Sequence, residues 1–373
     1  MSKTKYAIIS GFLGAGKTTS MITFAQVVNQ SGGKAAILAN DLGAKDIVDA
    51  AYTSTTGILT GQIAGDCICY QHEVLVSKLR GLAAEGADII FSDIPGCGIG
   101  ALEHVYLQLG EREPGEFDLL PFTCVVDPRL LRLAIRGRDD GTIPKEMQFL
   151  LRAQMAEAEL IVLNKTDLLE QEEQERQLAF LRAQYSDTPV MAMSALTGDG
   201  VGEVLSYLVA HRSAMEYRDI GYGSEAFLAA EQLLCWFNRR VFFETADGSA
   251  ADFNLVAGAL FQDIGQRLQE RGSNVPHLKL FAMGVNGDFL KASMTGVGRP
   301  VEYGRKLQRR YAAISMMINA RALSDSQEMA QVADEAIALI QTQFHLKSRT
   351  YFSESFGMMD EGRGDGGRAS RYD

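Results

Sequence analysis

One segment near the amino terminus constrains the fold of this chain more than any other feature. It is Gly11-Phe-Leu-Gly-Ala-Gly-Lys17-Thr18, which fits the pattern G-x-x-x-x-G-K-[ST]. A short apolar run, Tyr6–Ser10, precedes this segment, and the helical pattern of Lys17–Gln30 follows it. A glycine-rich turn at the start of a helix directs several backbone N–H groups and the helix dipole at one point. The sequence therefore predicts a phosphate-binding loop between a strand and a helix of an α/β sheet.

The residues of this loop suit an anionic ligand and its metal ion. Glycines allow the backbone to approach phosphate oxygens without a Cβ clash, and Lys17 is expected to reach the β- and γ-phosphates. The hydroxyl of Thr18 is expected to bind Mg²⁺. The predicted nucleotide-binding residues of the loop are Gly11, Gly14, Ala15, Gly16, Lys17, Thr18 and Thr19.

Composition narrows the class of protein that carries this loop. The chain has 373 residues, which suggests two domains. Its net charge of −11 disfavours a general nucleic-acid binder. The cysteines are too few for a disulfide scaffold, and no apolar stretch is long enough for a transmembrane helix. We therefore expect a cytoplasmic protein with reduced thiols that contacts neither nucleic acid nor membrane.

Residues 1–213 alternate between apolar runs and helical patterns. The predicted strands are Tyr6–Ser10, Ala35–Ala39, Ala87–Ile94, Leu120–Val126, Leu160–Leu163 and Pro189–Met193. These runs lack a strict alternation of apolar and polar residues, which is typical of strands buried on both faces of a parallel sheet. We therefore predict an α/β nucleotide-binding domain over residues 1–213, with a mainly parallel sheet.

The pattern changes after residue 213. The polar segment Met215–Ser224 is assigned to a linker that spans residues 214–228. Over residues 229–345 a strand, a helix, three strands and a helix follow, and Asn286-Gly287 is a strong hairpin signal. This order is typical of a smaller α+β open-faced sandwich with helices on one side of a mostly antiparallel sheet. Residues 346–373 are predicted to form a largely disordered tail.

Two later loops carry features of guanine recognition. Asn164-Lys165-Thr166-Asp167 follows a predicted strand and resembles the N-K-x-D motif of GTPases. A carboxylate at the Asp position can accept hydrogen bonds from N1–H and the N2 amine of guanine, a pairing that adenine does not offer. Ser194-Ala195-Leu196 follows the last predicted strand and resembles the accessory guanine-contacting loop. We therefore predict that these two loops select GTP over ATP.

Two acidic residues end predicted strands at the sheet edge where ligands gather. Asp93 is expected to hold Mg²⁺, and Gly96 in the same loop is expected to offer its N–H to the γ-phosphate. Asp41 ends the preceding predicted strand and is expected to orient the attacking water or to take part in metal binding, with Asp46 as the competing candidate. The predicted catalytic residues are Lys17, Asp41 and Asp93.

Three cysteines lie in segments that a nucleotide switch could move. Cys67 and Cys69 can present two thiolates to a soft or borderline metal such as Zn²⁺ or Co²⁺. Cys97 lies in the loop expected to contact the γ-phosphate, so a third thiol could join them. Asp66 or His72 is a candidate fourth ligand. The alternative, that Cys97 is only a small residue in a crowded turn, stays open.

With these motifs in this order, the chain resembles the CobW-type GTPases, relatives of the HypB and UreG metallochaperones. The resemblance covers about residues 5–210 and includes the Asp93 loop. Its other segments are Ser10-Gly-Phe-Leu-Gly-Ala-Gly-Lys-Thr-Thr19, Asn40-Asp-Leu-Gly43, Cys67-Ile-Cys69, Val125-Val-Asp127 and Gln154-Met-Ala-Glu-Ala-Glu-Leu-Ile-Val-Leu-Asn-Lys-Thr-Asp-Leu168. The usual C-x-C-C motif of the family ends here in Tyr70 and has one thiol fewer.

The resemblance implies a P-loop GTPase domain and slow GTP hydrolysis coupled to metal delivery or cofactor insertion. The implied cofactors are GTP/GDP and Mg²⁺, with Zn²⁺ or Co²⁺ at the cysteines, and the implied partner is a client metalloenzyme or corrinoid enzyme. The alternative is a GTP-gated activation factor that remodels a cofactor-dependent client without handling free metal. The missing thiol favours this alternative. Whether the chain forms a homodimer also stays open.

Overall fold

The chain folds into two compact units, and the computed structural model describes residues 3–45, 47–136, 144–296 and 299–357. The first unit comprises Met1–Leu42 and Thr56–Phe227, and the second comprises Gly43–Thr55 and Leu228–Asp373. The sequence predicts one boundary, in residues 214–228. The structure adds an earlier crossing, because a short segment after the second strand belongs to the second unit.

The first unit contains a parallel sheet with helices between its strands. Its strands are β1 (Lys5–Ser10), β2 (Ala35–Asp41), β3 (Leu59–Ala64), β4 (Ile89–Asp93), β5 (Asp118–Leu119), β6 (Thr123–Val126), β7 (Leu160–Leu163) and β8 (Val190–Ala192). The α-helices along the chain before the second sheet are α1 (Lys17–Gln30), α2 (Val48–Ser54), α3 (His72–Ala84), α4 (Gln108–Arg112), α5 (Pro128–Arg136), α6 (Lys145–Glu157), α7 (Gln171–Gln184), α8 (Val201–Ala210) and α9 (Glu225–Gln232).

The strand order places several strand ends at one edge of this sheet. The order is β3-β2-β4-β1-β6-β7-β8, with β5 beside β1, and every pairing is parallel. In the β1–β4 ladder Ile9 pairs with Asp93, so the loop after β1 begins level with the end of β4. The central strands are buried along their length, as a sheet covered on both faces requires. The predicted α/β fold of this unit is confirmed.

The strand β3 is absent from the sequence prediction. It lies at the edge of the sheet, and only Ile63 of its six residues is buried. A strand with so little burial carries no apolar run, so hydrophobic patterning does not reveal it. The predicted strand Ala87–Ile94 is therefore β4, the fourth along the chain.

The second unit contains a six-stranded sheet of order β12-β11-β10-β13-β9-β14, in which every pairing is antiparallel. Its elements are β9 (Cys235–Thr245), α10 (Phe253–Glu270), β10 (Asn274–Met283), β11 (Phe289–Met294), β12 (Glu302–Arg305), β13 (Ala313–Leu323), α11 (Ser326–Gln343) and β14 (Leu346–Gly357). The predicted hairpin joins β10 and β11, and both Asn286 and Gly287 have positive φ angles.

The prediction of a disordered tail from residue 346 is wrong for residues 346–357, which form β14 and pair with β9. This strand lies at the edge of the sheet, and only Leu346 and Phe356 are buried. Its alternation of exposed and half-buried residues resembles a polar tail in the sequence. Residues 358–373 lie outside the described part of the chain.

The two faces of the second sheet carry different helices. Leu278, Leu280 and Ala282 of β10 join the core under α10 and α11. The alternate residue Phe281 points to the other face, where it packs against Val48 of α2. Among the described residues, no helix combines the length and the apolar character needed to cross a membrane.

Candidate nucleotide site

The phosphate-binding loop has a backbone that only glycine adopts easily. Gly11, Gly14 and Gly16 have φ angles of 139°, 79° and 101°. A Cβ on Gly11 would lie 2.2 Å from the carbonyl oxygen of Val125. Gly16 is the N-cap of α1, and no side chain caps the helix there. The first N–H groups of α1 therefore suit an anionic ligand.

Lys17 and Thr18 begin α1 directly after this loop. The Nζ atom of Lys17 donates a hydrogen bond to the carbonyl oxygen of Gly11 at 2.8 Å, so its side chain folds back along the loop. The side chain of Thr18 is buried at the base of the helix. The predicted phosphate and Mg²⁺ ligands are thus in the same turn.

Asn164 joins the phosphate-binding loop to both predicted guanine loops. Its Nδ2 atom donates to the carbonyl oxygen of Ala15 at 2.8 Å, and its Oδ1 atom accepts from the N–H of Ala195 at 3.0 Å. The side chain is almost fully buried. A Cβ on Gly16 would lie 2.4 Å from its Nδ2 atom, so this glycine allows the close approach. The structure brings together three segments in which the sequence predicts contacts with one nucleotide.

Lys165 and Asp127 fix the geometry of the base loop. Lys165 has a φ angle of 58°, and its Nζ atom lies 3.0 Å from Oδ2 of Asp127. Burial alone would raise the pKa of Asp127, but Arg129 and Lys165 outweigh it and lower that pKa to about 2. The stem of Lys165 is held beside the loop, as packing on a base requires.

Asp167 and Ser194 form the exposed end of the candidate base site. The Ser194 hydroxyl donates to Oδ1 of Asp167 at 2.6 Å and accepts from the N–H of Thr197 at 3.1 Å. The Asp167 carboxylate is exposed, and Leu196 beside it is 73% exposed. The hydroxyl therefore orients a carboxylate that solvent, or a base, can reach.

Asn40 connects the two predicted acids and the cysteine loop. Its backbone N–H donates to Oδ1 of Asp93, which is buried, at 3.0 Å. Its side chain donates to the carbonyl oxygen of Asp66 at 2.9 Å and accepts from the N–H of Ile68 at 3.2 Å. Asp41 follows it as the last residue of β2. In the sequence Asn40 is visible only as part of a motif, and its connecting role was missed. Asp46, the competing candidate, lies outside the described residues.

Two buried polar side chains of α6 hold the loop that follows β4. The Nε2 atom of Gln154 donates to the carbonyl oxygens of Gly96 and Gly98, both at 3.0 Å. The carboxylate of Glu157 accepts from the N–H of Gly100 at 3.1 Å and from that of Leu102 at 2.7 Å. We call Gln154 and Glu157 the α6 clamp. Its sequence signal is a polar pair on the apolar face of an amphipathic helix, and neither residue was predicted to have a role in the site.

Burial and hydrogen bonding shift the pKa of Glu157 in opposite directions. Burial raises its pKa to about 7, although the N–H groups of Leu102 and Gly100 lower it. This carboxyl therefore lies close to its midpoint at neutral pH while it holds the loop expected to contact the γ-phosphate.

The cysteine loop contains two thiols in contact. The Sγ atoms of Cys67 and Cys69 lie 3.1 Å apart, and both residues are buried. The contact with Cys67 and burial raise the pKa of the Cys69 thiol well above its usual value. Cys97 is buried, and the Nε2 atom of His72 lies 3.0 Å from a carboxylate oxygen of Glu113. Within the described ranges, no three His, Cys, Asp or Glu side chains form a group that could hold a metal ion.

An aromatic contact occupies the position after the second thiol. The hydroxyl of Tyr70 is hydrogen-bonded to the hydroxyl of Tyr222. The Tyr222 ring also packs on His104, with centroids 4.5 Å apart, and a Cβ on Gly100 would lie 2.7 Å from that ring. One tyrosine thus connects the cysteine loop to the end of the loop that the α6 clamp holds.

These loops at one edge of a parallel sheet define a nucleotide-binding protein of the P-loop class. The sequence profile of the CobW/HypB/UreG nucleotide-binding domain matches residues 5–191, about half of the chain. The chain belongs to the CobW/HypB/UreG family, and the resemblance stated from the motifs is confirmed.

Individual relatives differ in how much of the chain they match. The zinc chaperone YeiR of Escherichia coli (strain K12) is 32% identical over 166 residues, which is 44% of this chain and 47% of that protein. This chain therefore matches about half the length of YeiR. Among solved structures, Zn(II)-bound YjiA GTPase from E. coli is 14% identical, with a TM-score of 0.38 over 91% of this chain and 99% of that chain. HypB from Helicobacter pylori in complex with nickel is 15% identical, with a TM-score of 0.40 over 58% and 92%.

Proposed function

We propose that this protein binds and slowly hydrolyses GTP, and that its nucleotide state controls delivery of a metal ion to a client metalloenzyme. The observation that carries the proposal is the position of Asn164, which joins the phosphate-binding loop to both candidate guanine loops. A single buried side chain that bonds to both loops supports one continuous site for a guanine nucleotide.

The oxygen ligands of the site suit Mg²⁺, which prefers hydroxyl, carboxylate and phosphate oxygens. The Thr18 hydroxyl and the Asp93 carboxylate would hold it, and both are buried. When bound, Mg²⁺ supplies charge neutralisation at the β- and γ-phosphates. Lys17 adds a second positive charge, and the N–H of Gly96 is a donor to the γ-phosphate. Asp41 orients the attacking water.

The selectivity for guanine depends on Asp167. Its carboxylate accepts from N1–H and the N2 amine, while Ser194 holds it in place at 2.6 Å. The same carboxylate would face the N6 amine and the unprotonated N1 of adenine, which do not provide this pair of donors. A site that relies on such a hydrogen-bonded pair rejects analogues that lack it.

The metal ion held by the cysteines is cargo of the switch, delivered to the client and replaced. Cys67 and Cys69 are the core of its site, and Zn²⁺ or Co²⁺ is the expected ion. Cys97 would join them as a third ligand only after the loops move, because the described residues form no group of three metal ligands. The name of the relative YeiR, a zinc chaperone, supports zinc. Asn40 contacts both Asp93 and the cysteine loop. Loss of the γ-phosphate would therefore move the thiols through this one residue. Reduced thiols are needed, which fits a cytoplasmic setting.

Nucleotide-dependent metal binding tests this proposal. Zn²⁺ and Co²⁺ affinity of the full chain is measured with GDP and with a non-hydrolysable GTP analogue, together with GTP turnover. We expect affinity to differ between the nucleotides and to fall in the double variant Cys67→Ser/Cys69→Ser. Cys235→Ser, a buried cysteine of the second unit, is the matched control. Equal metal affinity in the wild type and the double variant with both nucleotides would exclude the metal role.

A second function is favoured by the contact between Tyr70 and Tyr222. Tyr70 directly follows the thiol pair, at the position where the family usually has a further cysteine, and its hydroxyl is hydrogen-bonded to that of Tyr222. A GTP-gated activation factor would use this contact to change the shape of the protein and remodel a corrinoid-dependent or other client enzyme without handling free metal. Co-purification of a client only with the GTP analogue, and with no metal above background, would decide for this function. Mass measurement in the same experiment would show whether a homodimer forms.

A further inference from the structure

The loop that follows β4 is packed against the phosphate-binding loop, and both loops belong to the first unit. A Cβ on Gly96 would lie 2.6 Å from Cδ2 of Leu13 and 3.1 Å from its Cα atom. Leu13 lies within the glycine-rich segment between β1 and α1. Only a residue without a side chain allows the two backbones to come this close. The backbone of Gly96 is therefore beside the segment that would bind the phosphates of GTP.

The loop after β4, residues 94–100, is rich in glycine and has no regular secondary structure. Its glycines are Gly96, Gly98 and Gly100, and glycine loses more conformational freedom on folding than any other residue. One backbone hydrogen bond inside the loop runs from the N–H of Gly98 to the carbonyl oxygen of Pro95 at 2.7 Å. Hydrogen bonds to groups outside the loop therefore contribute strongly to its conformation.

Gln154 of α6 uses both hydrogens of its side-chain amide on this loop. The side chain is fully buried, and its Nε2 atom donates to the carbonyl oxygens of Gly96 and Gly98 at 3.0 Å each. Its Oε1 atom has no hydrogen-bond partner among the described residues. Burial of an amide oxygen without a partner costs free energy. Packing alone therefore does not explain a glutamine here, whereas its two hydrogen bonds to the loop do.

Glu157, one turn further along α6, holds the far end of the same loop. Its carboxylate is buried, and one oxygen accepts from the N–H of Gly100 while the other accepts from that of Leu102. Residues three apart lie on one face of a helix, so Gln154 and Glu157 hold the loop from one rigid element. The same helix buries Leu150 completely and is therefore anchored in the core.

We propose that the α6 clamp positions the N–H of Gly96 for the γ-phosphate and thereby makes the site prefer GTP to GDP. Because the carbonyl and the N–H of Gly96 are joined through one Cα atom, the bond from Gln154 limits the directions in which that N–H can point. Gln154 and Glu157 contact the loop and act through it, so they are positioning residues. GDP has no γ-phosphate, and its binding should not depend on the clamp. This inference rests on the proposed GTP binding and hydrolysis.

The test compares variants of the clamp in the full chain. Gln154→Met keeps the length of the side chain but removes both donors to the loop. Glu157→Gln keeps one acceptor and replaces the other by an amide donor, so it weakens the clamp without leaving a cavity. Gln177→Met is the matched control, because Gln177 is also a fully buried glutamine of the first unit, and its Oε1 atom also has no partner among the described residues. Its Nε2 atom donates to Glu173 on its own helix, α7.

The measured quantities are the affinities for GDP and for a non-hydrolysable GTP analogue, together with kcat and KM for GTP. In Gln154→Met we expect the affinity for the analogue and kcat to fall by about tenfold to a hundredfold, because a misplaced donor no longer meets the phosphate. GDP affinity should be unchanged. Glu157→Gln should lower the same two quantities by about threefold to tenfold, and Gln177→Met should match the wild type.

A parallel loss of affinity for GDP and for the analogue would overturn the proposal, because it would show a damaged site rather than a lost contact to the γ-phosphate. Wild-type affinity for the analogue together with wild-type kcat in Gln154→Met would also refute it. If Gln154→Met does not fold, Glu157→Gln decides, and an unchanged ratio of the two affinities in that variant counts against the clamp. A wild-type chain that binds neither nucleotide, or shows no GTP turnover, would instead contradict the proposed function.

Discussion

The nucleotide loops and the cysteine loop lie in the same unit but are prepared for their ligands to different degrees. The phosphate-binding loop presents backbone donors, and Asn164 and Asp127 fix the loops around it. Asn40 holds the cysteine loop, but the two free thiols of this loop are hydrogen-bonded to each other, with their Sγ atoms 3.1 Å apart. Nucleotide binding therefore needs little rearrangement. The proposed metal binding would require the thiols to separate and to lose protons.

This difference explains why the two sites are expected to respond differently to mutation. A preformed site made of backbone donors relies on a few charged side chains to stabilise the negative charge that develops on the phosphates during the reaction. A site that must be assembled depends on proton loss and on movement of its loops. Variants of Lys17 and Asp167 probe the preformed site, and the pH dependence of metal binding probes the assembled one.

The largest effect is expected for Lys17→Ala. Lys17 is the positively charged side chain of the phosphate-binding loop, and in the proposed reaction it would stabilise the transferred phosphoryl group. We expect kcat for GTP to fall by about a thousandfold, measured as phosphate release at saturating GTP. Metal binding without nucleotide should be unchanged, because the thiols are not altered. Lys34→Ala, an exposed lysine of the same unit, is the control.

The second prediction concerns the identity of the base. Asp167→Asn replaces one acceptor by an amide donor, which faces the donors of guanine. We expect the affinity for GTP to fall by about a hundredfold, while affinity for xanthosine triphosphate, which has an acceptor at C2, rises. Competition binding with the two nucleotides gives both values. Equal loss for both nucleotides would indicate a damaged loop rather than altered recognition.

The loops of the candidate nucleotide site are largely predictable from the sequence, because they depend on glycine positions and on motifs of a few consecutive residues. The glycine pattern predicts the turn between β1 and α1, and the structure requires glycine at Gly11 and Gly16. The strand β7 has the predicted bounds, so the loop with Asn164 follows it directly. What the sequence could not show is that this asparagine joins three loops, since contacts over 149 residues leave no local pattern.

The sequence does not predict the parts of the fold that have few buried residues or that depend on contacts between residues far apart in the chain. The edge strands β3 and β14 have few buried residues, so their sequences lack the apolar runs on which prediction depends. The attachment of α2 to the second sheet relies on Asn319, which is 271 residues from Val48. In the same way, the sequence does not reveal a role for the α6 clamp, because its contacts with Gly96 and Gly100 are known only from the three-dimensional structure.

The third prediction tests the cysteine loop through its protons. The pKa of Cys69 is raised, so its thiol is protonated near neutral pH and must release a proton when a metal binds. We expect the apparent metal affinity to rise by about tenfold per pH unit for each proton released, measured from about pH 6.5 to about pH 8. Cys124→Ser is the control, because Cys124 is buried within β6 and its pKa is raised to about 12.

The smallest effect is expected for Glu157→Gln in the α6 clamp. Burial raises the pKa of Glu157 from 4.5 to about 7. The hydrogen bonds that its carboxylate accepts from two N–H groups, and the positive charge of Arg218, lower this pKa but do not offset burial. Between these two pH values the folded state holds a proton that the unfolded state has lost. The free energy of unfolding therefore falls as pH rises from 4.5 toward about 7, and this contribution is constant above that range.

Glutamine keeps one of the two oxygens that accept from the N–H groups of Gly100 and Leu102, and it does not titrate. We expect Glu157→Gln to remove a slope of at most about 1.4 kcal/mol per pH unit from the free energy of unfolding, measured by urea denaturation across this range. Glu146→Gln, in the first turn of the same helix, should keep the wild-type slope. An unchanged slope in Glu157→Gln would mean that the carboxyl is ionised throughout. In that case the loop beyond β4 is held by a fixed charge and is insensitive to pH, as the nucleotide loops are expected to be.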